Sequence, residues 1–236
     1  MRKLHIVFLL FLIVLLNSCS TLKKSERIAF SDGFYKQKTE NKKQLVYVDI
    51  EPDTFRVYTA GADKDSPLAD TIPKKVYPSQ TKGRKNEETA FIKNTLDIDF
   101  LTIPIKLRRK QNDVKAQLNA NINGAVYLGY RTDKYVASYT ADPLNKSLLD
   151  VSHYGFSVGI FTGIGNTALT PTTTNGMISQ EYDGIAWSKG IAGIFAINNF
   201  TAGVAIGLDN LLDGNNDKWI YEGKPWLGLA LGLNLN

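Results

Sequence analysis

This chain is short of the residues that most often announce chemistry. Its 236 residues hold one cysteine, Cys19, and two histidines, His5 and His153. A lone cysteine excludes an internal disulfide framework and a cysteine-built zinc site. No P-loop, dinucleotide fingerprint or pair of catalytic carboxylates stands at recognisable spacing. Charge of one sign is also lacking. The 28 basic and 23 acidic residues give a net +5, which falls to +3 once Arg2 and Lys3 are set aside. That balance gives no footing for nucleic acid as a partner. Helical periodicity is missing beyond residue 18. Glycine is scarce in the front of the chain, with 16 of 19 glycines at or after Gly124. Lysine runs the other way, with Lys36, Lys38, Lys42, Lys43, Lys74, Lys75, Lys82 and Lys85 all before residue 95. The chain therefore divides near residue 95 into a polar front part and a glycine-rich back part.

What is present begins at the N-terminus. Arg2 and Lys3 precede an apolar run, Leu4–Leu16, of signal-peptide length and shorter than the roughly 20 residues of a spanning helix. The run ends in Leu16-Asn17-Ser18-Cys19, which resembles the lipobox of bacterial lipoproteins. The resemblance implies that residues 1–18 are a signal peptide, that Cys19 carries a diacylglyceryl thioether, and that its freed amine is acylated. Several acyl chains at about 0.8 kcal/mol per buried CH₂ make a durable anchor. Under the same resemblance, Ser20 in place of an aspartate points to the outer membrane, whose lipid is then the first partner.

Residues 19–43 read as a lipidated tether and 44–236 as one β domain. Residues 45–50 and 54–60 read as strand around Glu51-Pro52-Asp53, either as a hairpin or as one bulged strand. Residues 61–94, with Pro67, Pro73, Pro78 and Gly83, read as a long loop. Further strands are expected at 97–107, 117–131, 135–140, 153–165, 183–197, 200–208 and 226–236. Period-two alternation carries this reading, because successive strand side chains point to opposite faces. Leu227, Leu229, Leu231, Leu233 and Leu235 oppose Trp226, Gly228, Ala230 and Gly232. Phe156, Val158, Ile160 and Ile164 oppose Gly155, Ser157, Gly159 and Gly163.

The water face of a soluble sheet carries Lys, Glu and Thr. Here the second face carries Gly, Ala, Ser and Asn, which suits a crowded barrel interior with the aliphatics turned to lipid. The expected fold is all-β, an antiparallel up-and-down β-barrel of about eight strands. Loops 61–94, 166–182 and 209–225 would face outward, with Asn198-Asn199 and the N-terminus in the periplasm. The alternative is a soluble, lipid-tethered periplasmic barrel or sandwich whose aliphatic face lines a core or an apolar ligand site. Lys189 falls on the apolar face and would have to snorkel. A break in alternation between Phe100 and Leu101 predicts a bulge. Trp187, Trp219, Trp226 and Tyr127, Tyr130, Tyr135, Tyr139, Tyr154, Tyr182 and Tyr221 lie near strand ends and suit interfacial girdles.

Residues 96–105, 123–133, 154–165, 181–184 and 219–236 together resemble small outer-membrane β-barrel lipoproteins of Gram-negative, Bacteroidota-like envelopes. The resemblance covers about residues 95–236. It implies barrel and location and carries over no catalytic or ligand residue. The expectation is a structural or interaction protein that meets an envelope protein or surface ligand through its loops. It is not expected to be an enzyme or a general pore, or to use a cofactor or metal, and its oligomeric state stays open. An enzyme acting on lipid or peptidoglycan would rest on His153. Asp150, Ser152 and His153 form no nucleophile set on their own, because Ser152 and His153 face opposite ways on a strand. Asp213, Asn215 and Asp217 alternate oxygens as a calcium loop does, but Lys218 and Lys224 stand where glycine and glutamate are required. Glu181 and Asp183 would add oxygens only if the loops cluster.

Overall fold

Alternating side chains turn most of this chain into strand, and strand ends must then find partners. A computed structural model describes residues 30–39, 42–61, 68–82, 88–144, 146–198 and 200–233. The expected signal peptide, Cys19 and the start of the expected tether lie outside the described residues. The described residues form one antiparallel sheet of 12 strands, with no α-helix among them. In chain order these are β1 (Gly33–Thr39), β2 (Lys42–Glu51), β3 (Thr54–Thr59), β4 (Lys75–Pro78), β5 (Gln80–Thr81) and β6 (Thr89–Arg108). Then follow β7 (Gln117–Ala120), β8 (Asn123–Ala141), β9 (Ser147–Leu169), β10 (Tyr182–Ile197), β11 (Phe200–Leu211) and β12 (Pro225–Leu233).

The sheet closes twice. β6, β8, β9, β10, β11 and β12 pair in that order, and β12 returns to β6, from Trp226 opposite Arg108 to Leu233 opposite Phe100. This makes a ring of six strands. β6, β8 and β9 run on past it, and their far ends carry a second, N-terminal ring. There β1 pairs with β6, then β2, β3 and β4 follow, and β5 joins β9 with Gln80 opposite Leu148. The Leu149 amide donates to the Ser79 carbonyl at 2.9 Å across the same seam.

The two rings are packed in opposite senses. The N-terminal ring encloses Tyr35, Val46, Val48, Phe55, Val57, Tyr77, Phe91, Tyr135 and Tyr139. Phe30 inserts among them, with its ring centroid 5.1–5.6 Å from those of Tyr35, Phe55, Phe91 and Tyr135. Each such side chain contributes about 1.5–3 kcal/mol on burial. In the six-stranded ring the aliphatic face points outward. Val126, Leu128, Phe156, Val158, Ile160, Ile191, Phe195, Val204, Ile206, Leu227 and Leu229 are all exposed, Ile160 by 60%. The inward face is small or polar, and it is tight. A Cβ on Gly163 would run into the Gly124 carbonyl oxygen, and one on Gly190 into that of Ile206.

Several expectations change against this fold. The strand count is 12, not about eight. β1 and the start of β2 lie within the stretch read as a tether, because Lys36 and Lys38 on the water face of β1 disguise the inward Tyr35 and Gln37. The stretch read as loop 61–94 contains β4, β5 and the start of β6. Residues 132–134 are no turn, since β8 runs straight through them. Glu51 pairs with Thr54, so Pro52-Asp53 is a two-residue hairpin turn. The bulge is not at Phe100–Leu101, because Asp97, Asp99, Leu101 and Ile103 all point inward. It sits at Pro104, where the register slips opposite Leu229–Leu231, because proline has no N–H for the ladder. The tight turn between β10 and β11 is present: Ile197 pairs with Phe200, and Asn198 adopts φ 50°.

Candidate functional site

The interior of the six-stranded ring is layered along its axis. Nearest the N-terminal ring, β6, β8 and β9 bring Asp97, Asp99, Arg131, Asp133 and His153 together, all buried. Asp133 accepts from Arg131 Nε at 2.8 Å and pairs with His153 Nε2 at 2.6 Å. Arg131 Nη1 lies 3.8 Å from Asp97. The His153 ring stacks on Tyr135 with centroids 4.8 Å apart. The next layer is apolar, with Leu101, Ile103, Tyr127, Phe161 and Ile194 among small alanines. Tyr127 and Ser157 share a hydrogen bond of 2.8 Å inside it.

Beyond it, at the loop end, Lys106 and Arg108 on β6 converge on Asp209 of β11. Lys106 Nζ donates to both Asp209 oxygens at 3.0 and 3.1 Å and to Ser188 Oγ at 2.9 Å. Ser188 Oγ and Trp226 Nε1 donate to Asp209 Oδ1 at 2.6 and 2.8 Å, and Arg108 Nη2 donates to Oδ2. Lys106 and Asp209 are 1% and 0% exposed, so this network replaces the hydration both charges gave up.

The mouth of the ring is shut. The ends of β9 and β11 and the loops that follow them pack on each other through Leu169, Leu211, Trp219 and Tyr221, with Ile178, Tyr182 and Ile220 against them. The Ile220 amide donates to the Thr173 carbonyl at 3.0 Å, tying the two loops together. Arg108 lies directly beneath, its guanidinium 4.9 Å from the Trp219 ring and 5.2 Å from that of Tyr221. Burial pushes the Tyr221 phenol above its ordinary value, so it stands as an O–H donor at neutral pH.

The sequence-predicted candidates fare unevenly. Cys19 lies outside the described residues. His153 points into the ring, while Ser152 sits 3.5 Å from Asp150 on the other side of the strand, so the structure does not join the three. Asp213 and Asn215 are engaged with Tyr182: its hydroxyl donates to Asp213 Oδ2 at 3.0 Å, and Asn215 Nδ2 donates to that hydroxyl at 2.7 Å. Lys218 Nζ donates to Asn215 Oδ1 at 2.9 Å. Among the described residues no group of three His, Cys, Asp or Glu is placed to hold a metal ion. Of the aromatic set, only Tyr130, Tyr154 and Trp187 are exposed; Tyr127, Tyr135, Tyr139, Trp219, Tyr221 and Trp226 fill the two interiors. Lys189 lays its ammonium 4.0 Å over the Trp187 ring, and Trp187 Nε1 donates to Thr162 at 2.8 Å. Sequence reasoning missed Lys106, Arg108 and Asp209; their only signal is charge at inward positions of otherwise apolar strands. No family model matches the chain, and no curated protein or solved structure shows significant similarity to it.

Proposed function

We propose that this is a lipid-anchored outer-membrane protein whose six-stranded ring crosses the bilayer as an up-and-down β-barrel. Its role is structural or interactive rather than catalytic. The outward band of large apolar side chains around a ring with a charged interior carries this reading, since water on both faces would favour the opposite arrangement. On β9 the band runs from Tyr154 to Ile164. That is about 33 Å along the strand at ~3.3 Å per residue, or about 23 Å across a bilayer at a ~45° tilt. Lys189 folded over Trp187 suits an interfacial pair.

Loop lengths support an orientation. The tight turn at Asn198 and the N-terminal ring share one end, and the loops 170–181 and 212–224 share the other. Short turns are periplasmic in such barrels. β4, β5 and the start of β6, in the stretch expected to be an outer loop, then belong to the periplasmic end. Residues 20–29 reach at most about 40 Å from Cys19 to Phe30. That keeps the N-terminal ring against the membrane that holds the acyl chains. The packed interior and the loops over the mouth support a role other than a general pore.

One observation favours a second reading. Bacterial barrels of this type start at eight strands, and this ring has six. Under the second reading the lipid is the sole anchor, and the apolar band is covered by an apolar ligand or partner in the periplasm. Fractionation of Cys19→Ala protein carrying a cleavable signal peptide separates the two. Retention in the outer membrane after a carbonate wash supports insertion by the strands. Recovery as soluble periplasmic protein overturns it.

A further inference from the structure

The loop end of the six-stranded ring holds more buried hydrogen-bond donors than its own side chains use. Asp209 is the carboxylate paired with both Lys106 and Arg108, so one buried anion answers two buried cations. Glu222, on the covering loop, spends its oxygens on Asn210 Nδ2 at 2.6 Å and the Leu211 amide at 2.8 Å. Arg108 Nη1, Trp219 Nε1 and the Tyr221 hydroxyl are left buried without a partner. These three belong to one cluster, because the Arg108 guanidinium lies against both rings, which are themselves 6.1 Å apart. Each residue is 3% exposed or less. Two acceptors, Asn119 Oδ1 and Asn123 Oδ1, are also unpartnered. Asn123 Oδ1 packs against Gly165, and Asn119 stands opposite Lys106 on β7. Neither belongs to the aromatic cluster, where an Arg108 Nη1 edge, the Trp219 indole N–H and the Tyr221 hydroxyl are the unmatched groups.

Buried donors are normally matched, and three in one place, one of them on a buried guanidinium, call for an acceptor bearing negative charge. We propose that Arg108, Trp219 and Tyr221 form a binding site for a small oxyanion of the carboxylate or phosphate type, beneath the loop that follows β11. Arg108 supplies charge and a free N–H edge, Trp219 and Tyr221 each supply one donor, and the loop excludes water from the contact. The covering segment 215–222 is bracketed by Gly214 and by Gly223 at φ 62°, which places adaptable backbone at both ends of the cover.

The test uses the full-length protein in zwitterionic detergent, with inorganic phosphate and acetate as probes and thermal unfolding as the readout. Trp219→Phe and Tyr221→Phe each keep a ring and delete one donor. A saturable rise in melting temperature is expected with phosphate or acetate, with affinity weakened about tenfold, or roughly 1.4 kcal/mol, in each variant. Without the anion, Tyr221→Phe is expected to be as stable as the parent or more so, because it removes an unmatched donor. If phosphatidylglycerol added to the micelles displaces inorganic phosphate, the oxyanion comes from a lipid headgroup; if phosphate stays bound, it comes from a solute. The proposal is overturned if neither probe shifts the parent, if both variants bind as the parent does, or if Tyr221→Phe loses stability in the anion-free protein. Should Trp219→Phe fail to fold, the Tyr221→Phe pair of measurements decides alone.

Discussion

The two rings share β6, β8 and β9, yet each is built as the inverse of the other. The N-terminal ring buries valines and aromatics and shows Lys36, Lys38, Asp49 and Arg56 outside. The six-stranded ring buries Lys106, Arg131, Asp133 and Asp209 and shows isoleucine, valine and phenylalanine outside. A single strand crosses from one regime to the other. Along β8 the inward residues pass from Ala125 and Tyr127 through Arg131 and Asp133 to Tyr135 and Ala137. The side chains reverse their inward and outward character with no change of secondary structure.

The largest effects come from emptying either interior. Phe91→Ala is expected to cost about 3–5 kcal/mol and to unfold the N-terminal ring. Protease nicking confined to residues 30–90, with the six-stranded ring still inserted, would show that the rings open separately. Asp209→Ala leaves Lys106 and Arg108 buried without their carboxylate and should cost about 3–5 kcal/mol, read by urea unfolding in detergent. A cost below about 1 kcal/mol would mean the interior is wet.

A charge on the outer faces sharpens the contrast further. Ile160→Arg should cost about 2–4 kcal/mol in bilayers, while Val76→Arg on the N-terminal ring should change stability by less than about 0.5 kcal/mol. Equal, small effects would make the two exteriors alike. Gly163→Ala drives a methyl into the Gly124 carbonyl and should cost about 1–3 kcal/mol, whereas Gly193→Ala, with open space around its Cβ, should be nearly silent.

Alkali gives the smallest and most local effect. Burial raises the Tyr35 and Tyr135 phenols above their ordinary value near 10. Their neutral forms therefore contribute stability that is complete below about pH 10 and is lost as pH rises toward their folded values. Near-ultraviolet circular dichroism should show the N-terminal ring loosening above that pH, with far-ultraviolet strand signal from the six-stranded ring retained.

The legibility of the sequence follows the same division. β10, β11 and β12 show in the sequence because large apolar exteriors opposed by glycine and alanine make an unbroken alternation. The front strands are hidden because their water faces carry lysine and their turns carry proline, which together resemble a tether and a loop. β8 looks interrupted at Thr132-Asp133-Lys134 because three polar residues resemble a turn; only the fold shows Asp133 turned inward to Arg131 and His153. The charged network at the loop end is long-range. Lys106 and Asp209 meet from opposite sides of the ring seam made by β12, and no local pattern announces that pairing.

Contact of lipid with the outer face of the six-stranded ring, as proposed above, can be read directly by quenching. With Cys19→Ala as background the chain has no other cysteine, so single fluorophores can be attached at Ile160→Cys and at Lys43→Cys in reconstituted vesicles. The account predicts that the label at 160 is quenched by brominated acyl chains and shielded from iodide, while the label at 43 behaves the opposite way. Iodide quenching at 160 with no effect of brominated lipid would contradict it.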